Sequence, residues 1–147
     1  MTSAVLSDRL NRSFEIYEEL VSYLEQSAFV SKLASLPSNT IGEQLWCVVG
    51  ARESYVRGIQ KGQWEGFRCS LSKEAITKKK DVTDALVSSA STARQVLGQI
   101  TAFTAAQEKL AFELLEHEIQ HQGQLIRYLY GLKLGIPDGL KARYHLD

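Results

Sequence analysis

Apolar residues recur every three or four positions along most of this chain, and this spacing limits its fold more than any other feature. Sustained alternation of apolar and polar residues is absent, and no Asn-Gly or Asp-Gly hairpin lies between β-branched runs. The pattern therefore predicts an all-α fold. In the first predicted helix one apolar stripe contains Leu6, Leu10, Phe14, Tyr17, Leu20, Val21 and Leu24.

Four long helices follow from this periodicity. They are expected at about residues 3–26, 40–61, 72–99 and 105–134. Two of their starts carry a capping box, Thr40 with Glu43 and Thr104 with Gln107. Four helices of this length with short to medium connections imply a four-helix bundle, in a single domain that spans residues 1–147.

The connecting segments also carry predictions. Trp64 and Phe67 lie in a glycine-containing connection, "GQWEGFRCS", and are expected to plug the core. The basic run at 78–80 is followed by aspartates and is interpreted as a solvated face. The tail is expected to be ordered in part, with Tyr144 and Leu146 as apolar anchors.

Composition excludes several classes of function. Lys plus Arg equals Asp plus Glu at 17 each, which argues against binding to nucleic acid or to a membrane surface through charge. No apolar run approaches the roughly 18 residues of a membrane span, and the N-terminus lacks a signal peptide's pattern. A cytoplasmic protein is expected. Cys47 and Cys69 are then free thiols, and Cys69 is interpreted as a small buried hydrophobe.

Three ionisable side chains lie on apolar stripes. Arg52 falls in the inward sector of the second helix and needs a carboxylate partner or an open end of the bundle. His117 and His121 lie mid-stripe in the fourth helix, one turn apart on the same face. Two interpretations stay open for the histidines: a shared divalent metal, or rings that are satisfied by hydrogen bonds or by solvent at a polar end of the bundle.

The fourth helix has a second apolar stripe on its opposite side. This stripe contains Phe112, Leu115, Ile119, Ile126, Leu129 and Tyr130. A bundle helix usually buries one stripe and solvates the other, so the back of this helix is expected to be covered. The cover is the tail, the 27–37 connection or a second subunit, and the length of the stripe favours a symmetric homodimer.

Three passages resemble the DinB-like (DinB/YfiT-like) family of bacterial four-helix-bundle metalloenzymes. They are "SNTIGEQLWCVVGARESYVRGI" at 38–59, "HEIQHQGQLIRYLYGLKLGIP" at 117–137 and the tail "IPDGLKARYHLD". The first resembles the family's Ile-Gly-x-x-Leu-Trp-His helix. The second resembles its His-x3-His-x-Gly-Gln signature, and the third its Ile-Pro ending with a late tyrosine. The resemblance covers both diagnostic helices and implies a DinB-type bundle.

The resemblance also implies a metal site. Family members hold a divalent metal with three histidines, and the pair in the last helix corresponds to His117 and His121. The third position corresponds to Cys47, where this chain departs from the family. A thiolate is a competent zinc ligand, so a Cys-His-His site favours zinc, with nickel as the other candidate. His145 in the tail is an alternative third ligand. If the third ligand is lost, the site is degenerate and holds no metal.

The functions implied by the resemblance are a metal-dependent hydrolase or a thiol S-transferase that acts on a small molecule of unknown identity. The alternative is a non-catalytic homodimeric bundle with a degenerate metal site. A third hypothesis is a redox or sensor role for Cys47, which requires a lowered thiol pKa. Gln44, Glu113 and Gln124 lie one turn from the expected ligands and are candidates for polar roles.

Overall fold

A computed structural model describes residues 2–147, with side chains from residue 4 onward, and this part of the chain is helical without any β-strand. Its helices are α1 (Thr2–Tyr23), α2 (Ile41–Lys61), α3 (Lys79–Gly98), α4 (Ala105–Gly131) and α5 (Asp138–Tyr144). Two short 3-10 turns, Gln26–Val30 and Ala75–Thr77, precede α2 and α3. The predicted all-α class is confirmed.

The four long helices pack side by side around a shared core. Both α1 and α2 contact α3 and α4. Contacts of Gln44 with His121 and of Gln107 with Ile59 show that α2 and α4 run antiparallel. The middle of α2 therefore lies against the middle of α4, where Arg52 contacts Glu118.

The inward stripes of the long helices form the core, as the periodicity predicted. Every residue of the stripe predicted for the first helix is at most 2% exposed, including Leu24, which directly follows α1. In α3 the stripe of Val82, Leu86, Ala90, Ala93 and Leu97 is buried as well. The alanines in it allow close approach of neighbouring helices. Burial of these stripes supplies the main driving force for assembly of the helices.

Both predicted capping boxes are present. The Thr40 hydroxyl accepts the Glu43 amide proton at 3.1 Å, while the Glu43 carboxylate accepts the Thr40 amide proton at 2.7 Å. The same reciprocal pair joins Thr104 and Gln107 at the start of α4. Side-chain caps satisfy amide groups that the first helical turn leaves unpaired, so these two starts are set locally.

The prediction that Trp64 and Phe67 plug the core is wrong. They are 46% and 41% exposed, and each packs against the outer face of α2. The Trp64 ring lies 4.8 Å from that of Tyr55, centroid to centroid. The Phe67 ring lies over Gly50, where any Cβ would collide with it. The interior is already filled by the four helical stripes, so the connection follows the surface of α2 instead.

The third helix begins later than predicted, at Lys79 rather than at about residue 72. The preceding residues form a 3-10 turn that contacts α2, α3 and the first 3-10 turn, and Ile76 in it is buried. The Gln26 side chain accepts the amide proton of Lys79 at 2.8 Å and so fixes where α3 starts. This contact spans more than fifty positions in sequence, and no local pattern encodes it.

The basic run at 78–80 is solvated only in part. Lys80 is exposed and pairs with Asp84. The Lys79 ammonium instead donates to the carbonyl oxygens of Leu24 at 2.7 Å and of Ser22 at 3.2 Å. A cation at the C-terminus of a helix is stabilised by the helix dipole, so Lys79 caps α1.

The tail is ordered, as predicted, and contains a fifth helix that the periodicity did not indicate. Leu140 of α5 is buried at 1% exposure, while Tyr144 and Leu146 are half-buried. Tyr144 donates a 2.5 Å hydrogen bond to the Gln122 side chain of α4. Among residues 2–147 no helix combines the length and the apolar character that crossing a membrane requires.

Candidate metal centre

Cys47, His117 and His121 lie together between α2 and α4. One ligand atom from each residue can be chosen so that all three lie within 4.8 Å of one another. His117 Nε2 is 3.9 Å from Cys47 Sγ, and the centroids of the two imidazoles are 4.5 Å apart. This cluster could hold a metal ion, because a sulfur and two nitrogens at this separation need only small movements to share one.

The local folding of α2 and α4 explains why these side chains meet. The i, i+4 spacing of the histidines places both rings on one face of α4, and they stack one turn apart. Cys47 lies on the shoulder of the buried stripe of α2 and faces that surface of α4. His121 is buried at 8% exposure, while His117 and Cys47 are half-buried. The cluster is therefore closed on its His121 side and accessible on the other.

His121 is oriented by a chain of hydrogen bonds that begins at Gln44. The Nδ1 atom of His121 lies 2.5 Å from Gln44 Oε1. The Gln44 amide nitrogen donates to Asn39 Oδ1 at 2.8 Å, which identifies Gln44 Oε1 as an acceptor. Tyr128 also donates to Asn39 Oδ1 at 2.8 Å. His121 thus carries its proton on Nδ1, and the lone pair of Nε2 is available to a metal.

The ring of His117 lacks a comparable partner. Its Nδ1 atom is buried and makes no hydrogen bond with any described residue. Its Nε2 has only the long contact with the Cys47 sulfur. A metal shared with Cys47 would be bound through Nε2, which has no other close partner, and would leave Nδ1 unpaired. The arrangement of the Cys47 sulfur and the two imidazoles is compatible with a divalent metal.

Burial keeps both rings neutral, as metal ligation requires. Desolvation lowers the pKa of His117, against a smaller opposing effect of Glu118. It lowers the pKa of His121 to about 4, with a further contribution from the neighbouring His117. A neutral imidazole offers a lone pair, whereas a protonated one repels a cation.

The pKa of the Cys47 thiol is shifted in the direction opposite to that of a redox-sensor thiol. Burial raises its pKa, and the nearby Lys73 ammonium only partly offsets this. A reactive sensor thiol has a lowered pKa, so the local electrostatics disfavour that hypothesis. A bound divalent cation would reverse the effect, because a thiolate is stabilised by the metal that it ligates.

Beside the cluster lies a buried ion pair, which meets the predicted need of Arg52 for a partner. Arg52 and Glu118 have fully buried side chains and form two hydrogen bonds, at 2.6 and 3.0 Å. Ser13 of α1 donates to the same carboxylate at 2.7 Å. Arg52 also donates to the Leu86 carbonyl of α3 at 3.1 Å. This pair joins all four long helices and holds α2 and α4 in register at the cluster.

Three residues that the sequence indicated as candidate ligands or polar groups of the site lie outside the metal cluster. His145 is exposed and is not part of the cluster. Glu113 pairs with Lys109 at 3.7 Å, and Gln124 is exposed. The periodicity of α4 does not indicate Glu118 as buried, because this residue lies beside the inward stripe rather than on it. The unpartnered charge of Arg52 was the only signal that a buried carboxylate had to exist.

Comparison with family models, with curated proteins and with solved structures gives no match for this chain.

Proposed function

We propose that the chain is a metal-dependent enzyme of the DinB-like kind, a hydrolase or a thiol S-transferase, with a divalent metal held by Cys47, His117 and His121. The observation that carries the proposal is the convergence of one sulfur and two imidazole nitrogens within 4.8 Å. The resemblance of residues 38–59 and 117–137 to the family's two metal-binding helices supports it. Zinc is the favoured ion, with nickel second, because a thiolate ligand disfavours harder ions.

Each residue around the cluster has a distinct task in this proposal. Cys47, His117 and His121 would hold the ion, and a site with three protein ligands would leave the ion open to a substrate atom. When bound, such a metal supplies Lewis-acid chemistry that lowers the pKa of a water or thiol placed against it. Gln44 fixes the tautomer and rotation of His121. The half-buried side of Cys47 and His117 gives access to a small molecule.

Metal uptake tests the proposal directly. Protein purified without a histidine tag or chelator is expected to contain close to one zinc per chain by elemental analysis. Binding of zinc to the folded state should raise the melting temperature, and chelation should reverse the rise. If the chain takes up no zinc and added zinc does not change its melting temperature, the proposed metal centre does not exist.

Substitution of Cys47 tests the third ligand. Cys47→His is expected to retain zinc, because an imidazole also ligates this ion, while Cys47→Ala should weaken zinc binding by at least about tenfold. Cys69→Ala is the matched control, since this half-buried thiol lies outside the cluster. Equal zinc affinity in Cys47→Ala and in the unchanged protein would remove Cys47 from the ligand set.

As a second candidate, we infer that the chain is a homodimer that associates through the outer face of α4. Phe112, Ile119 and Tyr130 are 42%, 38% and 46% exposed, and they align within about 20° around the helix axis. Leu129, from the same predicted stripe, is buried instead, and Leu115 and Ile126 are half-buried. An aligned set of exposed apolar side chains is suited to a symmetric contact.

Sedimentation at micromolar concentration measures this association. A dimer is expected for the unchanged chain and a monomer for Ile119→Glu, because a charge at the centre of an apolar contact must be desolvated. Val87→Glu is the control, since Val87 is an exposed apolar residue of α3, at 47%. A monomer at every concentration would remove the homodimer and leave the metal proposal unaffected.

A further inference from the structure

The second cysteine, Cys69, is held against α2 by the residues on either side of it. The Ser54 hydroxyl accepts the amide proton of Arg68 at 2.8 Å and donates to the Arg68 carbonyl oxygen at 3.0 Å. The Glu53 carboxylate accepts the amide proton of Ser70 at 2.7 Å. These contacts tie the chain on both sides of Cys69 to one turn of α2, so the cysteine lies on the surface of that helix.

A glycine in α2 makes room for this approach. Gly50 lies one turn after Cys47, and a Cβ at residue 50 would lie 2.9 Å from the Cβ of Cys69 and would also collide with the Phe67 ring. Side chains three positions apart on a helix are neighbours, with Cβ atoms about 5–6 Å apart. The space that a side chain would fill at residue 50 is therefore taken by a cysteine that lies next to Cys47.

The sulfur of Cys69 also lies close to the backbone of Cys47. Cys69 Sγ is 3.6 Å from the carbonyl oxygen of Trp46, which belongs to the peptide bond that joins Trp46 to Cys47. Standard peptide dimensions then place this sulfur within about 6.5 Å of the Cys47 Cα atom. Burial is the main cause of the raised pKa of Cys69, and the charge of a Cys47 thiolate adds to it, so the two thiols are close enough to interact.

A local rearrangement is enough to bring the two sulfurs together. Cys69 lies in the irregular connection between α2 and the second 3-10 turn, which can shift without unwinding a helix. The Cys47 sulfur can turn by rotation about one side-chain torsion. It now lies 3.9 Å from His117 Nε2, and in a bond with Cys69 it would leave this position. Metal ligation and a disulfide therefore compete for the same sulfur.

We propose that Cys47 and Cys69 form a reversible disulfide and that this bond switches the metal centre off. The effect on the metal rests on the proposed function, whereas the disulfide itself does not. A thiolate is the form of cysteine that ligates a metal, so the oxidised chain retains only His117 and His121 as ligands. Reduction returns the Cys47 sulfur to the cluster.

A small-molecule disulfide, such as oxidised glutathione, is the oxidant. The Cys47 thiolate attacks one of its sulfurs, so that a mixed disulfide forms and one glutathione thiolate leaves. The Cys69 thiolate then attacks the Cys47 sulfur and expels the second glutathione thiolate. Two protein thiols are oxidised, one disulfide is reduced, and the leaving thiolates take up the two protons. Burial raises the pKa of both cysteines, so the exchange is slow at neutral pH, unlike that of a fast sensor thiol.

Cross-linking of the metal-free chain tests the disulfide. The folded protein is incubated with oxidised glutathione at mildly alkaline pH, remaining thiols are alkylated, and the masses of the intact chain and of its tryptic peptides are measured. The expected product is a monomer that has lost two hydrogen atoms and in which the peptides of Cys47 and Cys69 are joined. Cys69→Ser should instead retain glutathione on Cys47. Separate peptides, or a dimer linked through these thiols, would overturn the proposal.

Gly50→Ala tests the geometry, because its methyl group would displace Cys69 from α2. Cross-linking of this variant should be several-fold slower than that of the unchanged chain. Gly98→Ala is the matched control, since a Cβ at residue 98 meets no atom within 4 Å. Equal rates in the two variants would show that packing at Gly50 does not bring the thiols together.

Zinc binding by the separated cross-linked chain tests the switch. This form is expected to bind zinc at least about tenfold more weakly than the reduced chain, and dithiothreitol should restore the affinity. Equal zinc affinity of the two forms would overturn the switch and leave the disulfide in place. If the reduced chain itself bound no zinc, the proposed metal centre would fail, whereas joined peptides would still establish the disulfide.

Discussion

At the scale of the residue, burial acts on both thiols of this chain in the same direction. It raises the pKa of Cys47, and it raises the pKa of Cys69 from 9.0 to about 11. Cys69 packs against the core and donates to the Trp46 carbonyl oxygen at 3.6 Å. It packs against the core as predicted, but it is half-buried rather than buried. Of the two thiols, Cys47 is the one that lies in a cluster with histidines.

The raised pKa of Cys69 predicts a loss of stability in alkali. Between pH 9.0 and about 11 the unfolded chain releases the thiol proton while the folded chain retains it. The free energy of unfolding therefore falls as pH rises through this window and is unaffected by Cys69 below it. Because the residue is half-buried, solvent screening limits the loss to the order of 1 kcal/mol.

Urea titrations across this pH window measure the loss. Cys69→Ala is the control: it lowers stability at pH 7 through lost packing, but its decline between pH 9 and 11 should be shallower than that of the unchanged chain. Parallel declines in the two proteins would assign the alkaline loss to other groups. Tyr17, whose pKa burial raises well above 10.0, is the next candidate at the upper end of the window.

At the scale of the element, helix starts differ in how locally they are determined. The capping boxes of α2 and α4 need only residues three positions apart. The start of α3 is set by Gln26, which also donates to the Thr77 carbonyl oxygen. At α2 the first turn is further confined by Gly42, against which the carbonyl groups of Phe29 and Ile76 pack closely.

This close approach predicts the effect of a methyl group at residue 42. In Gly42→Ala the new Cβ would lie 2.8 Å from the Phe29 carbonyl oxygen and even closer to that of Ile76. Both obstacles are backbone atoms, so relief requires the 3-10 turns to move. We expect a loss of about 2 kcal/mol in the free energy of unfolding, typical of overpacking, despite the better helix propensity of alanine.

Gly98→Ala is the matched control, because no atom lies within 4 Å of a Cβ built at residue 98. Chemical denaturation of this variant should show a change smaller than about 0.5 kcal/mol. If the two alanine variants had equal stabilities, the backbone at Gly42 would be free to move and the packing of the two 3-10 turns against α2 would be loose.

At the scale of the whole molecule, one buried ion pair connects all four long helices. Glu118 of α4 binds Arg52 of α2 and accepts from Ser13 of α1, while Arg52 reaches the Leu86 carbonyl of α3. The guanidinium carbon also lies 4.5 Å from the centre of the Phe14 ring. Such a pair fixes the positions of the helices along the bundle axis. A well-packed apolar replacement of both side chains can nevertheless give a protein of equal stability.

Removal of one charge of this ion pair should therefore lower the free energy of unfolding. Glu118→Gln leaves the Arg52 charge buried without its counter-ion, and a loss of about 3–5 kcal/mol in the free energy of unfolding is expected. The double variant Arg52→Met with Glu118→Met removes both charges and should regain part of this loss. Glu15→Gln, in an exposed pair with Arg12, should change stability by less than about 1 kcal/mol. Denaturant titrations rank the three variants.

If Glu118→Gln proved as stable as Glu15→Gln, the ion pair would contribute little, and the register of α2 and α4 would depend on apolar packing alone. A double variant no more stable than Glu118→Gln would point to the hydrogen bonds with Ser13 and Leu86, rather than charge neutralisation, as the stabilising contacts.

The sequence by itself determined the four long helices and their inward faces, apart from the start of α3, because periodicity and side-chain caps depend on residues only a few positions apart. It also placed His117 and His121 on one face, and it indicated that Arg52 needs a partner. Only the tertiary structure decided that Glu118 is that partner, that Trp64 and Phe67 stay on the surface, and that Gln44 orients His121. Such contacts join distant parts of the chain, and they depend on how the helices pack rather than on any local pattern.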